Sequence, residues 1–153
     1  MGAQRALGRR ERSAAELDVM LVGLADRLGG RLRKARRVCR TVTLRLRFGD
    51  YARATRSHTL AQATAETSVL LAAARGLLTA AVPVIDERGL TLIGLSLGNL
   101  HDDRAVQLTL PFDQAMAVDG AVDGVRDRFG SSAITRAVLL GRDQGDSVPL
   151  LPD

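Results

Sequence analysis

The sequence predicts an α+β fold: a four-stranded sheet with two helices on one face, followed by a C-terminal helical tail. Three observations carry that expectation. Arg36 to Leu60 alternates polar and aliphatic residues on both sides of a Gly49-Asp50 turn, and Leu90 to Leu97 alternates again, which is the period of a half-buried strand. Two longer stretches repeat their apolar residues at spacings of three and four, the period of an amphipathic helix. The resulting order, strand-helix-strand-strand-helix-strand, is the split βαβ pattern (βαββαβ), which leaves one sheet face free.

Residues 1–7, MGAQRAL, are long enough for one strand, although their pattern does not decide it. Ser13 and Glu16 form a capping-box signature, Ser13 at the N-cap and Glu16 reaching back. Leu17, Leu21, Leu24, Leu28 and Leu32 then predict a helix over 14 to 33, with Gly29-Gly30 weakening its end. In the first hairpin strand Val42, Leu44, Leu46 and Phe48 share one face, and Thr41, Thr43, Arg45 and Arg47 the other. Arg40 falls on the apolar side of this count, so either a bulge intervenes or the strand starts later. In the second strand Thr55, Ser57 and Thr59 alternate with Arg56 and His58, in a register the pattern leaves open.

Thr64 is a plausible N-cap for a helix over 65–80 that turns Val69, Leu70, Ala73, Ala74 and Leu77 inward and stops at Pro83. Glu87-Arg88-Gly89 marks a turn. The last strand sets Ile93, Leu95 and Leu97 against Gly94 and Ser96. The expected division is a domain over 1–100, a linker over 101–112 that opens on the polar turn His101-Asp102-Asp103-Arg104, a helical tail over 113–141, and disorder over 142–153. Within the tail, Val118, Val122, Val125 and Phe129 define the stripe of a helix over 114–129 that ends at Gly130.

Charge is distributed unevenly. Residues 1–60 hold 15 Lys+Arg against 5 Asp+Glu, and the remainder 7 against 12. A basic front half and an acidic rear half point to a polyanion-binding face with a separate module behind it. Every cation but Lys34 is an arginine, the residue suited to bidentate phosphate contacts. The single Cys39 excludes an internal disulfide and fits a reducing cytoplasm. No uninterrupted apolar run reaches the ~18 residues of a membrane span.

Catalytic material is sparse. Three adjacent residues such as His101-Asp102-Asp103 rarely converge on one metal ion. Asp119, Asp123 and Asp127 line one helix face, where a solvated acidic stripe is the commoner reading than an Mg²⁺ site. Cys39 has no histidine in local range, and no glycine-rich phosphate loop is present. The arginines of the hairpin, Arg37, Arg45, Arg47, Arg53 and Arg56, with hydroxyls between them, suit phosphates held without sequence readout, or else form a solvated face. Single-strand recognition needs aromatics on the sheet; here only Tyr51 offers one, since Phe48 falls on the buried side. After the last strand, Gln107-Leu108-Thr109-Leu110-Pro111-Phe112 either offers Leu110 and Phe112 to a partner's pocket or folds them onto the core.

Taken together, these segments resemble the C-terminal little-finger region of Y-family translesion DNA polymerases of the bacterial polymerase IV type. MGAQRALG is similar to the entry into that domain, RTVTLRLRFGDY and TRSHTL to its central hairpin, and GLTLIGLSL to its last strand. QLTLPF is similar to the six-residue form of the sliding-clamp-binding motif, and VDGAVDGVRDRFG to a tail that follows it in some members.

The resemblance implies a domain that grips template-primer duplex without sequence preference during lesion bypass. Arg45, Arg47, Thr55, Arg56, Ser57 and His58 would lie on the DNA side, joined by Arg37 and Arg53 from the charge pattern, while Gln107, Leu108, Leu110 and Phe112 would hold the clamp. Thr91 and Ser96 stand where some members place further basic residues on the last strand. The catalytic palm, fingers and thumb have no counterpart in the sequence, so no catalytic activity and no cofactor is expected of this chain itself; Mg²⁺ would belong to the palm. Met1 standing inside a strand suggests a truncated or split reading frame. The expected setting is the cytoplasm, on the nucleoid, with further repair proteins as candidate partners of the tail. The alternative is a non-catalytic interaction module whose basic face meets an acidic protein or RNA.

Overall fold

The computed structural model describes residues 1–106, 114–142 and 148–149. Four strands, β1 (Gly2–Ala6), β2 (Arg37–Phe48), β3 (Arg53–Thr64) and β4 (Leu90–Asp102), alternate with two long helices, α1 (Ala14–Lys34) and α2 (Thr67–Arg88), in the order the sequence predicts. All neighbouring strands are antiparallel, in the spatial order β3-β2-β4-β1, so β2 and β4 form the centre. A short helix α3 (Asp103–Val106), the tail helix α4 (Gln114–Phe129) and one 3₁₀ turn (Ala137–Leu139) follow. A two-residue strand β5 (Val148–Pro149) pairs with Ala3 and Gln4, inside the stretch expected to be disordered; residues 143–147 and 150–153 lie outside the described set.

Local chemistry explains the first helix. Ser13 Oγ accepts from the Glu16 amide while the Glu16 carboxylate accepts from the Ser13 amide, so two donors that the helix cannot satisfy are bonded reciprocally. Leu21, Leu24, Leu28 and Leu32 enter the core between helix and sheet. Gly29 and Gly30 do not end the helix. A Cβ on Gly29 would stand 2.6 Å from Thr67 Oγ1, so the glycine is where the start of α2 crosses α1. The gain in packing there outweighs its low helix propensity.

The second helix departs from expectation at both ends. Glu66, not Thr64, is its N-cap; Thr64 Oγ1 accepts from the Glu66 amide just ahead of the helix. Pro83 lies inside α2, which runs on to Arg88 and ends at Gly89, whose φ of 67° suits a residue without Cβ. Pro83 is exposed, so the carbonyl it leaves unpaired is solvated, while Ala81 and Ile85 anchor the turns on either side of it in the core. Val69, expected inside, is exposed; Leu71, Leu78 and Ile85 are buried with Leu70 and Ala74. Over 18 residues α2 reaches a mean hydropathy of 1.8, long and apolar enough by composition to cross a membrane, contrary to the expectation from uninterrupted runs. In this fold it lies on the sheet, tied to α1 by the Arg75–Asp18 ion pair at 2.7 Å.

At Arg40 the pairing of β2 with β3 shifts register between Cys39 and Thr41. This bulge lets Val38, Cys39 and Val42 all be buried while Arg40 points outward and donates to the Leu60 carbonyl. The expected polar turn after Leu100 begins later, because His101 and Asp102 continue β4 opposite Val38 and Arg37.

Candidate nucleic-acid interface

Cross-strand register assigns every side chain of the regular sheet to one of two faces. Val42, Leu44 and Leu46 stand opposite Leu97, Leu95 and Ile93 and point towards the helices. Thr41, Thr43, Arg45 and Arg47 stand opposite Thr59, Ser57, Thr55 and Arg53 in β3, and this second face has no helix over it. In β4 the same face carries Leu92, Gly94, Ser96 and Gly98, and in β1 Gly2, Gln4 and Ala6. It is therefore a shallow polar surface floored by small residues, with arginines on its β2–β3 side.

Several of these groups are oriented by their neighbours. The hydroxyls of Thr43 and Ser57 are 2.9 Å apart, and the Asn99 amide donates to Thr41 Oγ1 at 2.7 Å. Arg47 Nε donates to Thr91 Oγ1 at 3.3 Å, and that hydroxyl donates in turn to the Arg47 carbonyl. Thr91 thus holds an arginine in place. Arg47 also faces Arg53 directly across the strand pair, and among the described residues neither makes an ion pair. Like charges opposite each other destabilise a sheet in water; a bound polyanion reverses that sign. From Thr41 to Arg47 and at the positions paired with them this face carries no Asp or Glu; Asp102, opposite Arg37, follows in the same register at the far end of β4.

The predicted DNA-side residues separate in space. Arg45, Arg47, Arg53, Thr55 and Ser57 share the open face. Arg56 and His58 do not; they stand opposite Leu44 and Val42, on the helix side, and both are exposed there. Arg37 is exposed near the opposite end of β2, across from Asp102, away from the arginine cluster. Gln107, Leu108, Leu110 and Phe112 lie outside the described residues. Phe48 is buried as expected, with Arg88 stacked 5.0 Å from its ring centre, and Tyr51 is exposed in the hairpin turn at a φ of 64°.

Sequence reasoning missed a second polar cluster behind the helices. Arg33 of α1 donates to the Ala65 carbonyl, Thr67 Oγ1, Asp119 and both oxygens of Asp123. Asp119 also accepts from the Thr67 amide at 2.8 Å and from Arg136 at 3.1 Å. Asp26 accepts from Arg126 and Arg136. Three arginines and three aspartates thus join α1, the start of α2, α4 and the turn beyond it. Asp119 is only 5 % exposed, which overturns the solvated-stripe reading for it and for half-buried Asp123. Of the apolar stripe only Val122 and Val125 are half-buried; Val118 and Phe129 at its ends are 62 % and 68 % exposed. The reason is electrostatic. A guanidinium as enclosed as Arg33 needs carboxylates, and only the acidic face of α4 supplies them.

No group of three or more His, Cys, Asp or Glu among the described residues is placed to hold a metal ion, and Asp119 and Asp123 are bonded to arginines. Burial pushes the Cys39 thiol up to about 11, which leaves it protonated and inert at neutral pH.

Residues 1–110 match the model of the impB/mucB/samB family C-terminal domain. The chain belongs to this family. The domain is 34% identical over 148 residues to DNA polymerase IV 2 of Mesorhizobium japonicum, covering 87% of this chain and 36% of that protein. It is 32% identical over 142 residues to DNA polymerase IV of Moorella thermoacetica, covering 92% and 35%. The chain therefore spans about a third of the length of these relatives. Its fold matches part of the Dbh DNA polymerase, solved as a post-insertion binary complex, with a TM-score of 0.55 over 64% of this chain and 28% of the other at 15% identity. What the motif order implied holds at the level of family: the chain carries the C-terminal, little-finger type of domain that its DNA polymerase IV relatives share.

Proposed function

We propose that this little-finger domain holds duplex DNA by its phosphates on the open sheet face, without reading sequence, as the DNA grip of a translesion polymerase. The observation that carries the reading is the face itself: Arg45, Arg47 and Arg53 among Thr43, Thr55 and Ser57, with no carboxylate between Thr41 and Arg47 or at the positions paired with them. Hydroxyls and guanidinium groups contact phosphate oxygens of any sequence, and the absence of an aromatic from the face disfavours base stacking. If the three arginines neutralise about three phosphates, log affinity against log salt falls with a slope of about −3. Titrating a labelled duplex across salt concentrations measures it, and a flat response would exclude phosphate gripping.

Docking on the sliding clamp is the second part of the proposal and rests on Gln107-Leu108-Thr109-Leu110-Pro111-Phe112. The described chain runs up to this segment through α3, whose Asp103 amide is bonded to the Arg36 carbonyl. Gln107→Ala combined with Leu110→Ala should abolish clamp binding in a surface-binding assay and leave duplex affinity intact. Clamp binding that survives both changes refutes the motif. Action on the nucleoid in the cytoplasm, and polymerisation by the catalytic domains of a complete polymerase, belong to the same proposal.

A further inference from the structure

We infer that α4 and the turn after it form an ionic strap over the helix layer, one that opens as a unit without unfolding the sheet and uncaps α2 when it does. The docked face of α4 carries Asp119, Asp123 and Arg126, one face by helical spacing, and the apolar stripe lies roughly a quarter-turn away. Leu139 is the one residue beyond α4 that joins the hydrophobic core among those described. Apart from this contact, the half-buried Val122 and Val125 and the two-residue pairing of β5 with β1, the attachment runs through the charged network.

That network is balanced, three guanidinium groups against three carboxylates. Such pairs lose hydration as they form and regain it as they part, so their net contribution is far below their Coulomb energy. The sheet and α1, by contrast, are held by a continuous apolar core that includes Leu21, Leu28, Leu44, Leu95 and Phe48. A unit attached by nearly compensating terms to a unit held by apolar burial opens first.

Opening reaches α2 through Asp119. The N-cap Glu66 accepts from the Ser68 hydroxyl but makes no side-chain bond to a backbone amide of its helix, and the Thr67 amide is served by Asp119 instead. Arg33 ties the same place to α1 through Thr67 Oγ1 and the Ala65 carbonyl. Strap release removes a carboxylate from a helix N-terminus, where negative charge is stabilising.

Native-state hydrogen exchange on the full chain tests this. With Asp123→Asn or Arg136→Gln, chosen because Arg136 is more exposed than the buried Asp119, the α4 amides should exchange about tenfold faster. Leu70 and Leu71 in the first turns of α2 should follow them, while amides of β2 and β4 change less than about twofold. Raising NaCl to about 1 M should accelerate α4 exchange in the unaltered chain as well, which apolar docking would not do. Equal acceleration in β2, β4 and α4 would show that the tail unfolds only with the whole domain and would overturn the inference. Unchanged α4 exchange in both variants and in salt would overturn it too, by showing that the ion pairs do not hold the helix.

Discussion

Changing Arg45 and Arg47 together to alanine is expected to weaken binding to every duplex sequence alike, by about 30-fold at ~0.15 M salt. Removing two phosphate contacts lowers the salt slope by about 2, and a slope change of that size, with affinity near 1 M held constant, produces this factor. The two residues are adjacent on the open face, opposite Thr55 and Arg53. Changing Arg56 and His58 together is the matched comparison, because these two point to the helix side of the neighbouring strand β3. That pair should alter affinity less than about threefold and leave the slope nearly unchanged, as expected of charges off the contact surface. Equal losses from both pairs would mean that the duplex lies along the β3 edge rather than over the sheet.

Gly29→Ala is expected to destabilise the domain by about 2 kcal/mol, the usual range for overpacking, and to lower Tm by about 6 °C. Helix propensity alone predicts the opposite, a gain of roughly 0.5–1 kcal/mol from replacing a mid-helix glycine. The added Cβ would stand 2.6 Å from Thr67 Oγ1 and 3.1 Å from an Arg33 nitrogen. Thr67 is fully buried at the start of α2, and its hydroxyl accepts from Arg33, so it has little room to yield. Thermal unfolding of the single variant decides between the two signs. A raised Tm would show that the α1–α2 crossing relaxes at no penalty.

What the sequence made legible follows from how local each determinant is. Ser13 and Glu16 lie three residues apart, and the alternation from Thr41 to Phe48 needs only its own strand, so both are read correctly without knowledge of the fold. Even the Arg40 irregularity is visible as a break in parity. Pro83 is misread, and the packing role of Gly29 goes unseen, because their meaning depends on what lies beside them: open solvent at one, a helix crossing at the other. Asp119 and Asp123 are misread for the same reason, their partner Arg33 lying 86 and 90 residues away. The candidate site divides likewise. Periodicity identifies a basic face, but which of Arg53, Thr55, Arg56, Ser57 and His58 belong to it depends on a register that only pairing with β2 supplies.

The place of β3 in the sheet has a bearing on how the chain behaves in company. It is a twelve-residue strand at the sheet margin, and among the described residues its outer backbone has no partner strand. A long free margin of this kind invites a strand from another molecule to pair with it, the first step of aggregation. Where an adding strand would seek an apolar surface beside Val42 and Leu44, it meets His58 and Arg56 instead. Bringing uncharged chain against them would strip water from a guanidinium and an imidazole with nothing to replace it. The two residues that turn away from the proposed DNA face therefore have work on their own side: they keep the exposed margin of the sheet from becoming a template for its neighbours.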